Sequence, residues 1–173
     1  MSTISAIVFA IAQAGGKPQA TPAATPKADV LRPTDDTMYL ETTLGSFKVL
    51  NGRGKFSFTF KGTVLVSGLD GNVTVTGNVK KEYDREGRVA YFGAGGMELV
   101  GTWRGLQWFG ENMKATFTGE GAVRLFGEFD KDLNTGFYWY KSLPAKNIWY
   151  TSGIETKLPP ADFMKTKPTR GGG

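Results

Sequence analysis

Residues 56–79, FSFTFKGTVLVSGLDGNVTVTGNV, alternate apolar and polar side chains almost without interruption. Phe56, Phe58 and Phe60 point one way and Ser57, Thr59 and Lys61 the other. Val64 and Val66 continue the pattern, then Val73, Val75 and Val79 with Thr74, Thr76 and Asn78 between them. A period of two with one polar face is what a half-buried strand requires, because successive side chains leave opposite sides of the backbone. Upstream, residues 38–44 predict a weak first strand and 46–50 a second, with Phe47 and Val49 on one face. The alternation then slips by one residue at Asn51-Gly52-Arg53-Gly54. Such a slip turns a core face outward, so a turn or a bulge is expected there. Leu69-Asp70-Gly71 and Asp84-Arg85-Glu86-Gly87 both carry hairpin chemistry.

In the second half, residues 113–129 keep apolar residues or glycine at odd positions and mostly charged residues or threonine at even ones. Straight, such a segment would extend about 55 Å at roughly 3.3 Å per residue, too long for a domain of this size to hold flat. Bends are therefore expected at Gly119-Glu120-Gly121 and at Gly93-Ala94-Gly95-Gly96. Gly77, Gly93, Gly95, Gly101, Gly119, Gly121 and Gly127 all continue the inward parity of their strands. Glycine on a core face permits a sharp bend or leaves room for a large ring, here Phe58, Phe60, Trp103, Phe117 or Trp139. The expected fold is all-β: a single strongly curved, mostly antiparallel, glycine-punctuated sheet closing into a barrel, jelly roll or β-roll. The Gly-x-Gly pairs begin at 52, 93 and 119, an unequal spacing that defines no strict solenoid period.

The ends of the chain read differently. Residues 4–14, ISAIVFAIAQA, form an apolar run too short to span a bilayer, which needs about twenty residues. With its Ala-x-Ala end the run reads as a secretory signal cleaved before Gly15, although residues 1–3 lack a basic residue; a short buried helix is the alternative. Residues 15–36 place Pro18, Pro22, Pro26 and Pro33 among Ala and Thr, the composition of a flexible tether. Residues 157–173 read as a disordered basic tail, which leaves residues 37–156 as the β domain.

Composition narrows the chemistry. The chain of 173 residues has neither cysteine nor histidine. That excludes disulfides, zinc–thiolate sites, cysteine nucleophiles and every histidine-based triad, and it removes the commonest general base and metal ligand. The net charge of +5 is interleaved along the strands, as in Lys80-Lys81-Glu82, and reads as a solvated face rather than a specific nucleic-acid groove.

Residues 73–91, VTVTGNVKKEYDREGRVAY, resemble one unit of the OstA/LptA-type strand repeats of the bacterial envelope: an alternating strand, Gly-Asn-Val, a Tyr-Asp turn, then a second alternating strand. The resemblance implies a jelly-roll or roll architecture and a periplasmic or surface place of work. It also implies an apolar groove for lipid and open sheet edges that pair with partner domains. No functional residue carries over from it.

Three constellations could carry chemistry. Trp103, Phe137 and Trp139 fall on the inward series, whereas Tyr138 and Tyr140 fall on the other face. Trp108 and Phe109 are adjacent, so one must point outward. Trp108 or Phe109 with Tyr138 and Tyr140 is thus the expected ligand or partner patch, flat rings suiting sugar faces or a protein partner. Asp130, Asp132 and Asn134, followed by Gly136, place oxygen ligands at alternate positions as in a calcium loop, although a hairpin turn explains the same residues. Glu98, Glu111, Glu120, Glu128 and Asp130 could include the carboxylate pair of a glycoside hydrolase, but nothing in the sequence sets two of them at the needed separation. No cofactor is expected. The leading expectation is a non-catalytic exported module, periplasmic or secreted, that binds an envelope protein or lipid through a sheet edge or apolar interior, with self-association through edges. The runner-up is a carbohydrate-binding module and the third a carboxylate hydrolase.

Overall fold

The computed structural model describes residues 30–84, 88–127, 136–149 and 153–160. It is all-β among those residues: β1 (Asp36–Ser67), β2 (Asp70–Tyr83), β3 (Val89–Gly127), β4 (Gly136–Tyr140), β5 (Asn147–Trp149) and β6 (Ile154–Leu158). The strands form one antiparallel sheet in the order β2-β3-β1-β4-β5, with β6 also on β3. The sheet is not closed into a barrel, since β2 and β5 stand at opposite ends of the order. The signal-like run, most of the tether, most of the basic tail and the calcium-loop residues lie outside the described residues.

β1 and β3 are far longer than ordinary strands, and their pairing explains how they remain compact. From Gly45 onward most of β1 has β3 on both sides: Phe56 opposes Leu99 and Phe117, Val49 opposes Leu106 and Val123, and Val66 opposes Val89 and Leu106. One line of partners crosses the sheet from Tyr140 through Met38, Phe117, Phe56 and Leu99 to Val73. Another crosses from Thr156 through Val123, Val49, Leu106, Val66 and Val89 to Tyr83. The β1–β3 ribbon is therefore wound back on itself, and the two lines face each other. Phe47, beside Trp108 and Leu125 on the second face, stacks on Phe56 of the first at 5.1 Å, and Trp103 meets Phe117 at 5.7 Å.

The windings turn on two rows of glycine. Gly119, Gly54, Gly101 and Gly71 are successive partners along one corner; Gly127, Gly45, Gly110, Gly62 and Gly93 run along the other and end at Val79. Seven of these glycines have φ between +132° and +155°, a region closed to side chains with a Cβ. Bends at Gly93 and Gly119 are thus confirmed, and they belong to a longer series. The corner glycines recur at 45, 54, 62 and 71, and again at 93, 101, 110, 119 and 127, every eight or nine residues. The Gly-x-Gly pairs hid that regularity.

The slip at residues 51–54 is a bulge. Asn51 sits at φ +49°, and pairing steps from Leu50 with Ala122 to Arg53 with Glu120, one extra residue in β1. Asn112, at φ +54°, makes the matching bulge in β3 between Lys114 and Glu111. Leu69-Asp70-Gly71, by contrast, does not make a hairpin. β1 and β2 are not neighbours, and Gly71 is a corner that carries the same ribbon into its next winding. The second turn does make one, Tyr83 opposing Val89.

Rings and aliphatics fill the space between the faces, with Phe47, Phe56, Phe117, Trp108 and Trp149 wholly buried. Gly52 leaves room for the Trp103 indole, whose Nε1 would lie 2.3 Å from an added Cβ. β4, β5 and β6 cap one end of this core through Tyr140, Trp149 and Leu158.

One charged side chain anchors a corner. Arg53, beside Gly54, donates to both Asp35 carboxylate oxygens, to the Glu120 Oε1 at 3.0 Å and to the Val30 carbonyl at 2.6 Å. Burial alone would push the Asp35 carboxyl up, but hydrogen bonds from Arg53 and the Arg32 amide hold it below the usual carboxylate range. Glu120 is lowered by its bond from Arg53. Both folded pKa values are depressed, so their stabilisation is present above the unfolded carboxylate values and is lost as pH falls through the folded ones. Urea melts should show stability declining below about pH 4. Arg53→Met should cost about 3 kcal/mol at neutral pH by leaving Asp35 buried without its partner, and should flatten the acid slope. An unchanged slope in the variant would show that other carboxylates carry it.

Candidate partner-binding edge

Among the described residues β2 stands at one end of the strand order, paired with β3 alone, and from Gly71 to Val79 its sequence, GNVTVTGNV, contains no charge and no proline. Edge strands are ordinarily blunted by charge, proline or a covering element, because a row of open backbone groups templates another strand. Here the charges stand only at the two ends, Asp70 at one and Lys80, Lys81 and Glu82 at the other.

Beneath β2 the described residues leave a hollow in the core. A cavity of about 600 Å³ lies between the two faces at this end, bordered by Val66, Leu69, Val73, Val75, Val89 and Tyr91, with Lys81 at the rim. Val73 and Val75 are half-buried, unlike the inward residues two strands deeper. Lys81 opposes Tyr91 and reaches over the Tyr83 ring, its ammonium 5.3 Å from the centroid. A hydrogen bond with Tyr83 raises the Lys81 pKa, and burial raises that of Tyr91. Among the described residues the core is thus capped at one end by β4, β5 and β6 and has this cavity at the other.

The expected aromatic patch does not assemble. Trp108 is 0% exposed and packs on Phe47, whereas its neighbour Phe109 is 41% exposed. Tyr140 is buried, its hydroxyl bonded to Thr156 and the Lys157 carbonyl, and Tyr138 is half-buried. Register explains the reversal. Tyr138 opposes Leu40 and Tyr140 opposes Met38, so β4 takes the facing of β1. Parity carried from β3 across residues 128–135 put Tyr138 and Tyr140 outside, and Phe137 and Trp139 inside. Phe137 instead faces out, and Trp139 stacks on Tyr39 at 5.3 Å with Lys146 over its other face. Trp103 is buried as expected. Burial raises the pKa of both Tyr138 and Tyr140.

The carboxylates are dispersed. Glu98 is bonded to Lys55 and Ser57, Glu111 to Lys61 and Glu120 to Arg53. The bond from Lys55 lowers the Glu98 pKa. Glu128, Asp130, Asp132 and Asn134 lie outside the described residues. Among the described residues no group of three or more acidic side chains could hold a metal, and no helix is long and apolar enough to cross a membrane.

No family model, curated protein or solved structure matches the chain.

Proposed function

We propose that the protein is a non-catalytic, envelope-associated binding module, a flattened β-roll on a flexible tether, that takes a partner strand along β2. The observation that carries this reading is the conjunction at one end of the sheet of an uncharged stretch of edge, residues 71–79, and an open cavity bordered by valines with Asn72 and Lys81 among its lining. A strand added beside residues 73–79 of β2 would extend the sheet and drop alternate side chains over Val73, Val75 and Val89. An acyl chain threaded through the middle has less support, because rings fill that space. Export through residues 4–14, and the likeness of residues 73–91 to envelope repeats, are consistent with a periplasmic or surface place of work.

Glycan binding is the second reading. It rests on a smaller hollow of about 340 Å³ beside the Asn112 bulge, where Glu41, Thr42, Asn112 and Lys114 meet the exposed Phe137. Trp139 offers a sugar little, since Tyr39 and Lys146 occupy its faces.

A pull-down from an envelope extract with the chain from Gly15 onward separates the readings. Val75→Lys puts a charge on the inner side of the edge, the device natural edges use against pairing. It should abolish capture of a protein partner while shifting stability by about 1 kcal/mol or less, since Val75 lies at the open mouth. Capture indifferent to this change would remove β2 from the site, and a glycan retained by wild type and lost with Phe137→Ala would favour the second reading.

A further inference from the structure

A Phe-Gly pair recurs at 92–93, 109–110 and 126–127, every seventeen residues, each time behind a large residue: Tyr91, Trp108 and Leu125. Seventeen residues make one winding of the ribbon, so the three units stack at the same corner of the roll. The first residue of each unit is buried in the core and the glycine lies on the corner row. The phenylalanine between them points outward: Phe92, Phe109 and Phe126 are 38%, 41% and 43% exposed.

One line of partners joins these rings. Phe126 opposes Ser46, Ser46 opposes Phe109, Phe109 opposes Thr63, and Thr63 opposes Phe92. Lys80 ends the line beside Phe92. The rings therefore stand two strand spacings apart, about 9.5 Å, with a small hydroxyl residue between each pair. Packing does not call for rings at this level of the sheet, since Ser46 and Thr63 serve in the same line. Across the corner Leu44 is exposed as well. A contiguous apolar row of this kind on the outside of a sheet marks an interaction site.

Charge says what the row meets. The next outward line on the same face runs through Arg124, Lys48, Gln107 and Leu65. Lys48 directly opposes Arg124, a like-charge pair that costs stability unless an anion sits over it. Arg124 reaches Glu155 on its other side at 3.0 Å. Beside Lys48 a hollow of about 80 Å³ is also bordered by Ser67, Gln107 and Arg88, the last of which is bonded to Asp84. That hollow sets cations beside hydroxyl and amide donors in a space suited to one phosphate group. Rings on a convex corner, with cations set two residues back, fit an anionic bilayer: the rings enter the acyl boundary while the cations meet phosphates. A stacked sugar chain would instead want a flat platform without the cationic flank.

We propose that this corner docks the protein on an anionic phospholipid surface, with Phe92, Phe109 and Phe126 entering the acyl boundary and Lys48 meeting the headgroup phosphates. The surface is the outside of the roll and is separate from the β2 edge and its cavity.

Vesicles of phosphatidylglycerol and of phosphatidylcholine test it. The whole chain should co-sediment with the first and far less with the second. The double variant Phe109→Ala/Phe126→Ala and the single variant Lys48→Glu should each weaken binding to phosphatidylglycerol about tenfold. Lys48→Glu replaces a like-charge pair by an opposite one, so its melting temperature should be no lower than that of wild type, and its lost binding cannot come from lost folding. Every variant keeps residues 4–14, so any contribution of that apolar run is common to all. Because the chain has no cysteine, a single one reports the docked face. An environment-sensitive fluorophore on Thr63→Cys, between Phe109 and Phe92, should shift to the blue with phosphatidylglycerol vesicles. On Thr59→Cys, in the same strand but on the other face beyond the Gly62 corner, it should not.

Absent binding, equal binding to both lipids, binding indifferent to both variants, or equal shifts at positions 59 and 63 would each overturn the proposal. So would retention on an insoluble polysaccharide, or a dimer dissociated by Phe109→Ala, in place of vesicle binding, since the row would then have another occupant. Val75→Lys should leave vesicle binding unchanged, so failure at this corner and failure of the β2 reading are separate results; vesicle binding lost with Val75→Lys would move the lipid to β2 and overturn the proposal.

Discussion

Gly54→Ala should cost about 4 kcal/mol or more and lower the melting temperature by about 15 °C, with most of the chain failing to fold under growth conditions. An added Cβ would sit 2.1 Å from the Thr118 carbonyl oxygen and 2.9 Å from the Gly119 Cα. Both are backbone atoms, fixed by their own pairing, and cannot swing aside. The φ of +132° adds strain that no rotamer relieves. Gly54 also opposes Gly101 on its other side, so a displacement there reaches three windings of the ribbon. Gly105→Ala is the control. Gly105 is likewise a strand glycine, in β3, but its Cβ would meet only the Ser67 Oγ at 2.9 Å, a side chain that can rotate. It should cost about 1 kcal/mol or less. Thermal melts of the two variants would check the contrast, and equal losses would mean that the corners tolerate a Cβ.

That contrast shows which parts of the fold were legible. The period-two alternation of residues 56–79 fixes strand character and facing because burial and pleat act within a few residues. The bulge at Asn51 is legible for the same reason, since a slipped alternation has few local remedies. The winding was written in the glycine spacing, yet it only becomes meaningful once two distant segments, such as those around Gly54 and Gly119, are known to lie side by side. Leu69-Asp70-Gly71 illustrates the limit. Its residues suit a hairpin and a corner equally, and what chooses between them is whether β1 or β3 offers the next edge. Likewise, the facing of β4 is set by its register on β1, Tyr138 opposing Leu40, and not by parity counted along the chain from β3. The candidate edge escaped for a related reason. Val73, Val75 and Val79 look the same in sequence as the buried Val64 and Val66, and only topology leaves β2 with a single neighbour.

Trp108→Ala should cost about 4 kcal/mol, the range for removing a buried indole, while Phe109→Ala should cost about 1 kcal/mol or less. The two residues are adjacent, and sequence allowed either to face the core. Their energetics follow from facing alone: Trp108 stacks on Phe47 at 5.9 Å inside the doubled sheet, and Phe109 lies outside, opposite Ser46 and Thr63. A third variant separates burial from hydrogen bonding. Among the described residues the Trp108 Nε1 is buried without an acceptor. Leaving a donor unsatisfied in the core carries a desolvation cost, so Trp108→Phe exchanges some lost packing for relief of that cost. It should fall within about 1 kcal/mol of wild type, far closer to wild type than Trp108→Ala. Were Phe109→Ala instead the costly change, the facing of residues 105–109 would be reversed, and with it the assignment of the doubled core. Urea melts of the three variants therefore test whether Trp108 and its neighbours fill the doubled core between the two faces.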